Sequence, residues 1–188
     1  METDNIDSAI DDLASDVEKT MAMLQQEDTQ FNRRIYIRCL FAYLEGITYW
    51  MRQNAIEIDK IIFKKFGGMD WERHFLLYEE FPTIADNGKI EKRRQKMSFK
   101  NRFAFSVRAY AEIVQCTDSL FSDSSWQRLQ DALKVRDRLT HPKQSSDLVV
   151  SDGDVNACLE GYAWFANLMT KTFKESAATM IERSRLGS

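Results

Sequence analysis

The chain has 188 residues, 44% of them apolar and 12% aromatic, which is enough for one sizeable hydrophobic core and excludes disorder as a description of the whole. Only two prolines and seven glycines argue against a turn-rich all-β fold. With a formal charge of −3, any affinity for a polyanion has to come from a local concentration of basic residues.

Cys39, Cys116 and Cys158 are odd in number and far apart, and each falls in an apolar-periodic segment. They read as buried free thiols of a reducing compartment. No Cys-x2-Cys or His-x3-His spacing is present, and neither a metal nor a cofactor is expected. The opening METDNIDSAIDDLASD is acidic and lacks the basic-then-apolar order of a signal peptide. Arg38, Glu45 and Arg52 interrupt the most apolar run before it reaches the length of a membrane span. These features point to a cytoplasmic protein with no membrane partner. The length points to a single domain over residues 1–188, with a frayed tail at 184–188.

Ile10, Leu13, Val17, Met21 and Leu24 recur at three and four residues and predict a helix over 8–26. Asp11, Asp12, Asp16 and Glu18 take its other side or its favourable first turns, as a solvated face rather than a metal site. The longest periodic run, 31–66, has no proline and one interior glycine, Gly46. Tyr36, Leu40, Tyr43, Ile47 and Trp50 form one stripe of it, and Leu44, Met51, Ile58 and Ile62 widen that stripe, so this helix should be covered on more than one side. Its aromatic density reads as core rather than as a base-stacking platform. An unbroken helix here would be about 50 Å long; a break or bend is expected near Asn54, and a stop at Gly67-Gly68.

From 69 to 97 the pattern is irregular. Asp70 is placed to cap a short helix to Glu80, after which Pro82 and Asn87-Gly88 mark a connection. His74 has no Cys, Ser or carboxylate spaced to suggest chemistry and reads as structural or exposed. Lys89, Lys92, Arg93, Arg94, Lys96, Lys100, Arg102 and Arg108 then stand against Glu91 alone. Such a run is either a solvated face or a track for phosphates, and Arg93, Arg94 and Lys96 are the candidates for that contact.

Ser98 opens a third long helix to about Cys116, buried through Phe99, Phe103, Val107, Tyr110 and Ile113 or Val114. A fourth follows after a short loop, and short connections favour antiparallel neighbours. Ser151, with Asp154 three residues on, is placed to cap a last helix that begins at 153 or 154 and runs toward 183. It is buried through Val155, Cys158, Leu159, Tyr162, Ala166, Met169 and Phe173. The expected fold is all-α, an up-and-down bundle of about five helices.

The fourth helix is the one with chemistry. Ser122 to Lys143 reads SDSSWQRLQDALKVRDRLTHPK, with Ser124 and Gln127 at capping-box spacing and Pro142 as the stop. Trp126, Leu129, Ala132, Leu133, Leu139 and Thr140 share one broad side, and Arg136 falls among them. An arginine in an apolar stripe faces other protein, where it can snorkel or pair with a carboxylate. His141 comes five residues later, at the end of the helix, where the last carbonyls attract positive charge.

Arg136-Asp137-Arg138-Leu139-Thr140-His141 resembles the Arg-x4-6-His signature of HEPN domains, small helical bundles common in prokaryotic toxin, defence and RNA-processing systems. A polar residue usually follows the arginine there, and Asp137 stands in that place. The local likeness covers about Trp126 to Lys143, and the helix order agrees with the HEPN layout. In ribonuclease members the arginine and histidine of two protomers converge at a dimer interface and cleave RNA without a metal. The resemblance therefore implies Arg136, His141 and Asp137 as catalytic residues and a homodimer formed through this helix; Arg138 and Lys143, with Arg93, Arg94 and Lys96 of the basic run, are the candidate RNA contacts. Some HEPN toxins carry a tyrosine two residues after the histidine, where a partner nucleotidyltransferase attaches AMP. This chain has Lys143 there, so silencing by that route is not expected, while another antitoxin or regulatory partner stays open.

The two side chains suffice for the chemistry. RNA brings its own nucleophile, the 2′-hydroxyl. Imidazole can take that proton or protonate the departing 5′-oxygen, and guanidinium matches the phosphate oxygens and the charge that builds on them. The products would be a 2′,3′-cyclic phosphate and a 5′-hydroxyl. The competing reading is a non-catalytic dimerising, sensing or regulatory scaffold, in which a carboxylate locks Arg136 and His141 is merely exposed.

Overall fold

A computed structural model describes residues 3–66, 76–94, 96–113, 120–121 and 124–186. Five α-helices dominate: α1 (Thr3–Gln26), α2 (Gln30–Phe66), α3 (Phe99–Ile113), α4 (Ser124–Thr140) and α5 (Asp152–Leu186). Between α2 and α3 stand two strands, β1 (Glu80–Ile84) and β2 (Ile90–Arg94), and a 3-10 turn at Ser145–Leu148 precedes α5. The protein is all-α with about five helices, as its periodicity predicts. Gly67, Gly68, Asp70, His74, Val114, Cys116 and Ser122 lie outside the described residues, as do the side chains of Ile62, Ile113 and Phe173. The chain divides into two compact units, Met1–Ile47 with Val114–Ser188, and Thr48–Ile113.

In the first unit, α1 and the opening of α2 run antiparallel. The Asn32 amide of α2 donates to the carbonyls of Met23 and Glu27 at the near end, and Leu13 packs over Gly46 so closely that a Cβ there would lie 2.9 Å from its Cδ1. The buried core includes Val17, Leu24, Tyr36, Leu40, Phe41 and Leu44, together with Leu129, Leu133 and Leu139 of α4 and Cys158 and Phe165 of α5. Asp11, Asp12, Asp16 and Glu18 are exposed, as expected. Helices α4 and α5 are also antiparallel: Trp126 meets Trp164 at 5.4 Å between ring centroids, while Arg138 at the far end of α4 pairs with Asp154 at the start of α5. This gives the unit its up-and-down order.

Of the two caps expected at the last two helices, the one at Ser151 forms. The Ser151 hydroxyl accepts from the Asp154 N–H, and the Asp154 carboxylate accepts from the Ser151 N–H and hydroxyl, a complete reciprocal cap. Gln127 does not form its expected counterpart. Helix α4 begins at Ser124 itself, and the Gln127 amide turns forward to the Asp131 carboxylate at 3.3 Å, a charged acceptor one turn on. Likewise α2 continues through Asn54, whose side chain donates to the Trp50 carbonyl at 3.0 Å.

The second unit corrects a larger expectation: the stretch read as an irregular connection is a β-hairpin. Pairing is antiparallel, Glu80 with Arg94 through Ile84 with Ile90, and Gly88 supplies the positive φ of 76° that the turn requires. Every residue of β2 is exposed, so it lacks the in-out alternation by which a strand is recognised. Ala55, Ile56, Leu77 and Ala109 form a small core with Tyr78 and Phe105. At the foot of β1 the buried carboxylate of Glu79 pairs with Arg52 of α2 and, at 2.8 Å, with Nε of Arg102 of α3.

Helices α4 and α5 approach closely at Gly161 of α5, where a Cβ would fall 2.9 Å from Leu129 Cα and 3.1 Å from its nitrogen, backbone atoms that cannot swing aside. Gly161→Ala is expected to lower stability by about 1–3 kcal/mol in chemical denaturation despite its better helix propensity. Gly153→Ala, where the nearest atom is 3.7 Å away, should not.

Candidate functional site

Arg136 lies on one wall of a small cleft of about 170 Å³ in the first unit, lined by Ile37, Arg38, Phe41, Ala42, Glu45, Leu139 and Thr140 besides itself. Leu129, Leu133 and Leu139 anchor α4 in the core, and the helical step then carries Arg136 to the edge of that stripe, with 23% of its side chain exposed. One terminal nitrogen donates to the Asp137 carboxylate at 2.9 Å and the other to Glu45 of α2. Arg38, two turns earlier on the same line of α2, donates to the Leu139 carbonyl at 3.3 Å. Two guanidinium groups and the Glu45 carboxylate therefore line one opening, and Asp137 pairs with Arg136 from outside that lining.

Helix α4 ends at Thr140, whose hydroxyl donates to the Arg136 carbonyl at 2.8 Å. The His141 N–H closes the last turn on the Asp137 carbonyl at 3.0 Å, and the imidazole is exposed. The backbone thus brings Arg136, Asp137 and His141 to one end of α4. Lys143, also exposed, follows Pro142, and its N–H donates to the Asp147 carboxylate at 2.8 Å. This bond, with one from the Gln144 N–H, outweighs the small effect of burial and holds the Asp147 carboxyl below the usual range.

The chain after His141 is tied down along its whole length. Arg138 donates to the carbonyls of Asp147 and Val149 and pairs with Asp154. From α2, Arg34 donates to the Leu148 carbonyl at 3.1 Å, Arg33 to the Val150 carbonyl at 2.8 Å, and Gln30 both donates to that carbonyl and accepts from the Val150 N–H. Burial works against ionisation of Asp154, yet the hydrogen bonds from Ser151 and Arg138 prevail and its carboxyl titrates below the usual range. In the same core, burial pushes the Cys158 thiol up to about 12, the behaviour of a packing residue rather than a nucleophile; Cys39 is half-buried and its thiol also raised by burial.

Of the predicted RNA contacts, Arg138 spends its guanidinium inside the fold, while Lys143 is exposed beside the histidine. Arg93, Arg94 and Lys96 are exposed in the second unit, on β2 and just after it, whereas Arg136 and His141 belong to the first. Glu45 and Arg38 were not singled out as site residues from sequence. Their signal was present: Arg38, Glu45 and Arg52 recur every seven residues in an otherwise apolar run, which places all three on one line of the helix. Among the described residues no group of three or more His, Cys, Asp or Glu side chains is placed to hold a metal, and no helix is long and apolar enough to cross a membrane. Comparison with family models, curated proteins and solved structures finds no match for this chain.

Asp154→Asn should cost about 1–3 kcal/mol at neutral pH, the worth of hydrogen bonds to a charged group. Because the folded carboxyl is depressed, its contribution is full above the ordinary aspartate value near 4 and is lost as pH falls through the folded value. Wild type and variant should therefore converge in denaturant titrations as the solution is acidified. A constant gap would assign the effect to packing.

Proposed function

We propose that the protein is a metal-independent endoribonuclease of HEPN type, acting as a symmetric dimer joined through α4, in a cytoplasmic toxin or defence setting. The observation that supports this is the end of α4: Arg136 is oriented by Glu45 and Asp137 on the wall of a cleft, and His141 emerges exposed from the same helix end. In this reading His141 is the acid or base and Arg136 the phosphate clamp. Asp137 and Glu45 position the guanidinium, and Lys143 reaches an adjacent phosphate. A single copy has one such histidine, and cleavage with leaving-group protonation uses two proton-transfer groups. A two-fold axis beside α4 would provide the second and form an isologous interface. An antitoxin or regulatory protein covering α4 would then silence the enzyme by preventing either dimerisation or access.

The ion pair also favours a second reading. An Arg136 held by two carboxylates and a merely solvated His141 suit a dimerising or sensing scaffold in which the arginine braces α4 against α2. The two readings differ in what His141 does.

Purified wild type is expected to cleave labelled RNA in EDTA, leaving 2′,3′-cyclic phosphate ends, and His141→Ala to lose roughly 100-fold or more of that rate. Cleavage by both proteins or by neither would remove the ribonuclease reading. In the neither case, Arg136→Ala separates the outcomes further: the scaffold loses self-association in sedimentation, with no RNA activity to lose.

A further inference from the structure

The hairpin β1–β2 has no part in the chemistry above, and its surface is unusual. Ile84 and Ile90 face each other across the two strands at the end next to the turn, each 77% exposed. The turn between them is well fixed: Ala85 N–H donates to the Lys89 carbonyl and Gly88 N–H to the Ala85 carbonyl, both at 2.8 Å. Behind this apolar tip the shaft is basic. Lys92 and Arg94 lie on the same face as Ile90, Arg93 on the opposite face, and Lys89 and Lys96 at either end, all exposed. Glu80 neutralises only Lys92, at 2.9 Å. At its root, the hairpin is fastened through Glu79, held in the left-handed region at φ 53° and buried between Arg52 and Arg102. A left-handed non-glycine residue is unfavourable, and these two ion pairs hold it.

We propose that this hairpin is an RNA-binding arm for paired RNA. Its arginines and lysines contact phosphates, and the Ile84–Ile90 pair packs on a base step in the wide, shallow minor groove. Isoleucine is among the side chains that serve as apolar wedges at base steps, and the A-form minor groove is open enough to admit a blunt tip. A protein of formal charge −3 has placed its densest cationic run beside the most exposed aliphatic pair among the described residues, the combination that complements a polyanion with stacked bases. Two isoleucines among Glu80, Asp86 and Glu91 offer little to a lipid surface, where even a whole acyl chain holds only marginally. The charged row along β2 opposes edge pairing with a second copy. The choice of RNA over DNA rests on the ribonuclease reading; the arm itself does not.

The test uses the full chain carrying His141→Ala, titrated with a labelled RNA stem-loop over a range of salt. Ile84→Thr with Ile90→Thr keeps the β-branching that strands favour and is expected to weaken binding by roughly tenfold or more. Arg93→Ala with Arg94→Ala should weaken it similarly and lower the salt slope by about one to two. Thermal unfolding midpoints should stay unchanged, since all four side chains are exposed. Equal affinity in the variants, or no binding of the stem-loop at all, overturns the arm. So does binding to phosphatidylserine vesicles, or self-association, that the isoleucine pair controls while stem-loop binding does not respond. Binding that depends on the arm, with no cleavage by the wild type, overturns the ribonuclease and leaves the arm. Cleavage with affinity indifferent to both double variants does the reverse.

Discussion

The pinning of the segment between α4 and α5 is the constraint on which the site depends. A polar connection of this kind ordinarily rides on the surface with its carbonyls in water. Here the carbonyls of Asp147, Leu148, Val149 and Val150 accept from Arg138, Arg34 and Arg33, and Gln30 reads both polar groups of Val150. Arg33 is itself steadied by Asp28 and Asp152, so the anchor reaches into the turn after α1 and the first turn of α5. His141 is thereby fixed from two sides, by a helix that ends on its own N–H and by a loop that cannot drift. An exposed imidazole with a rigid backbone loses little entropy on meeting a ligand, which is the preorganisation that catalysis or specific binding requires.

The charges of α2 do different work at each position. Arg38 meets a carbonyl of α4, Glu45 meets the guanidinium of Arg136, and Arg52 meets the carboxylate of Glu79. Their settings differ in energy. Glu45 is 43% exposed, so its pair with Arg136 adds little stability and can open to a competing anion. Glu79 is 10% exposed, and removing either arginine would leave a buried charge poorly compensated, a change that costs about 3–5 kcal/mol in comparable sites. The first arrangement is suited to exchange and the second to holding a backbone in place.

Periodicity made the helices legible because each buries one side. The run 31–66 became α2 at Gln30–Phe66, and Ser151 with Asp154 marked the start of α5. The hairpin was hidden because β2 buries nothing and β1 contains Pro82. Motif spacing placed Arg136, Asp137 and His141 at one helix end, but not the partner of Arg136, since Glu45 lies 91 residues away in sequence. Arg138 looked like a surface contact because nothing local claimed it. Its acceptors are carbonyls and a capping carboxylate that converge only once α5 folds back along α4.

Charge balance sets a further requirement on the proposed chemistry. Arg38 and Arg136 bring two positive charges to the cleft lining and Glu45 one negative charge, while Asp137, outside the lining, pairs with Arg136, so the four charges taken together are close to neutral. Doubling them across a two-fold axis leaves them neutral. A phosphodiester entering such a site gains geometry from the fork of Arg136 and only a modest field, and any net attraction must come from outside that set, as from Lys143. Affinity for RNA, which depends chiefly on the number of phosphates neutralised, therefore has to be supplied by residues other than those that would cut. The exposed basic run of the second unit has the charge the cleft lacks, so under these proposals recognition and cleavage are separate properties carried by separate parts of the chain.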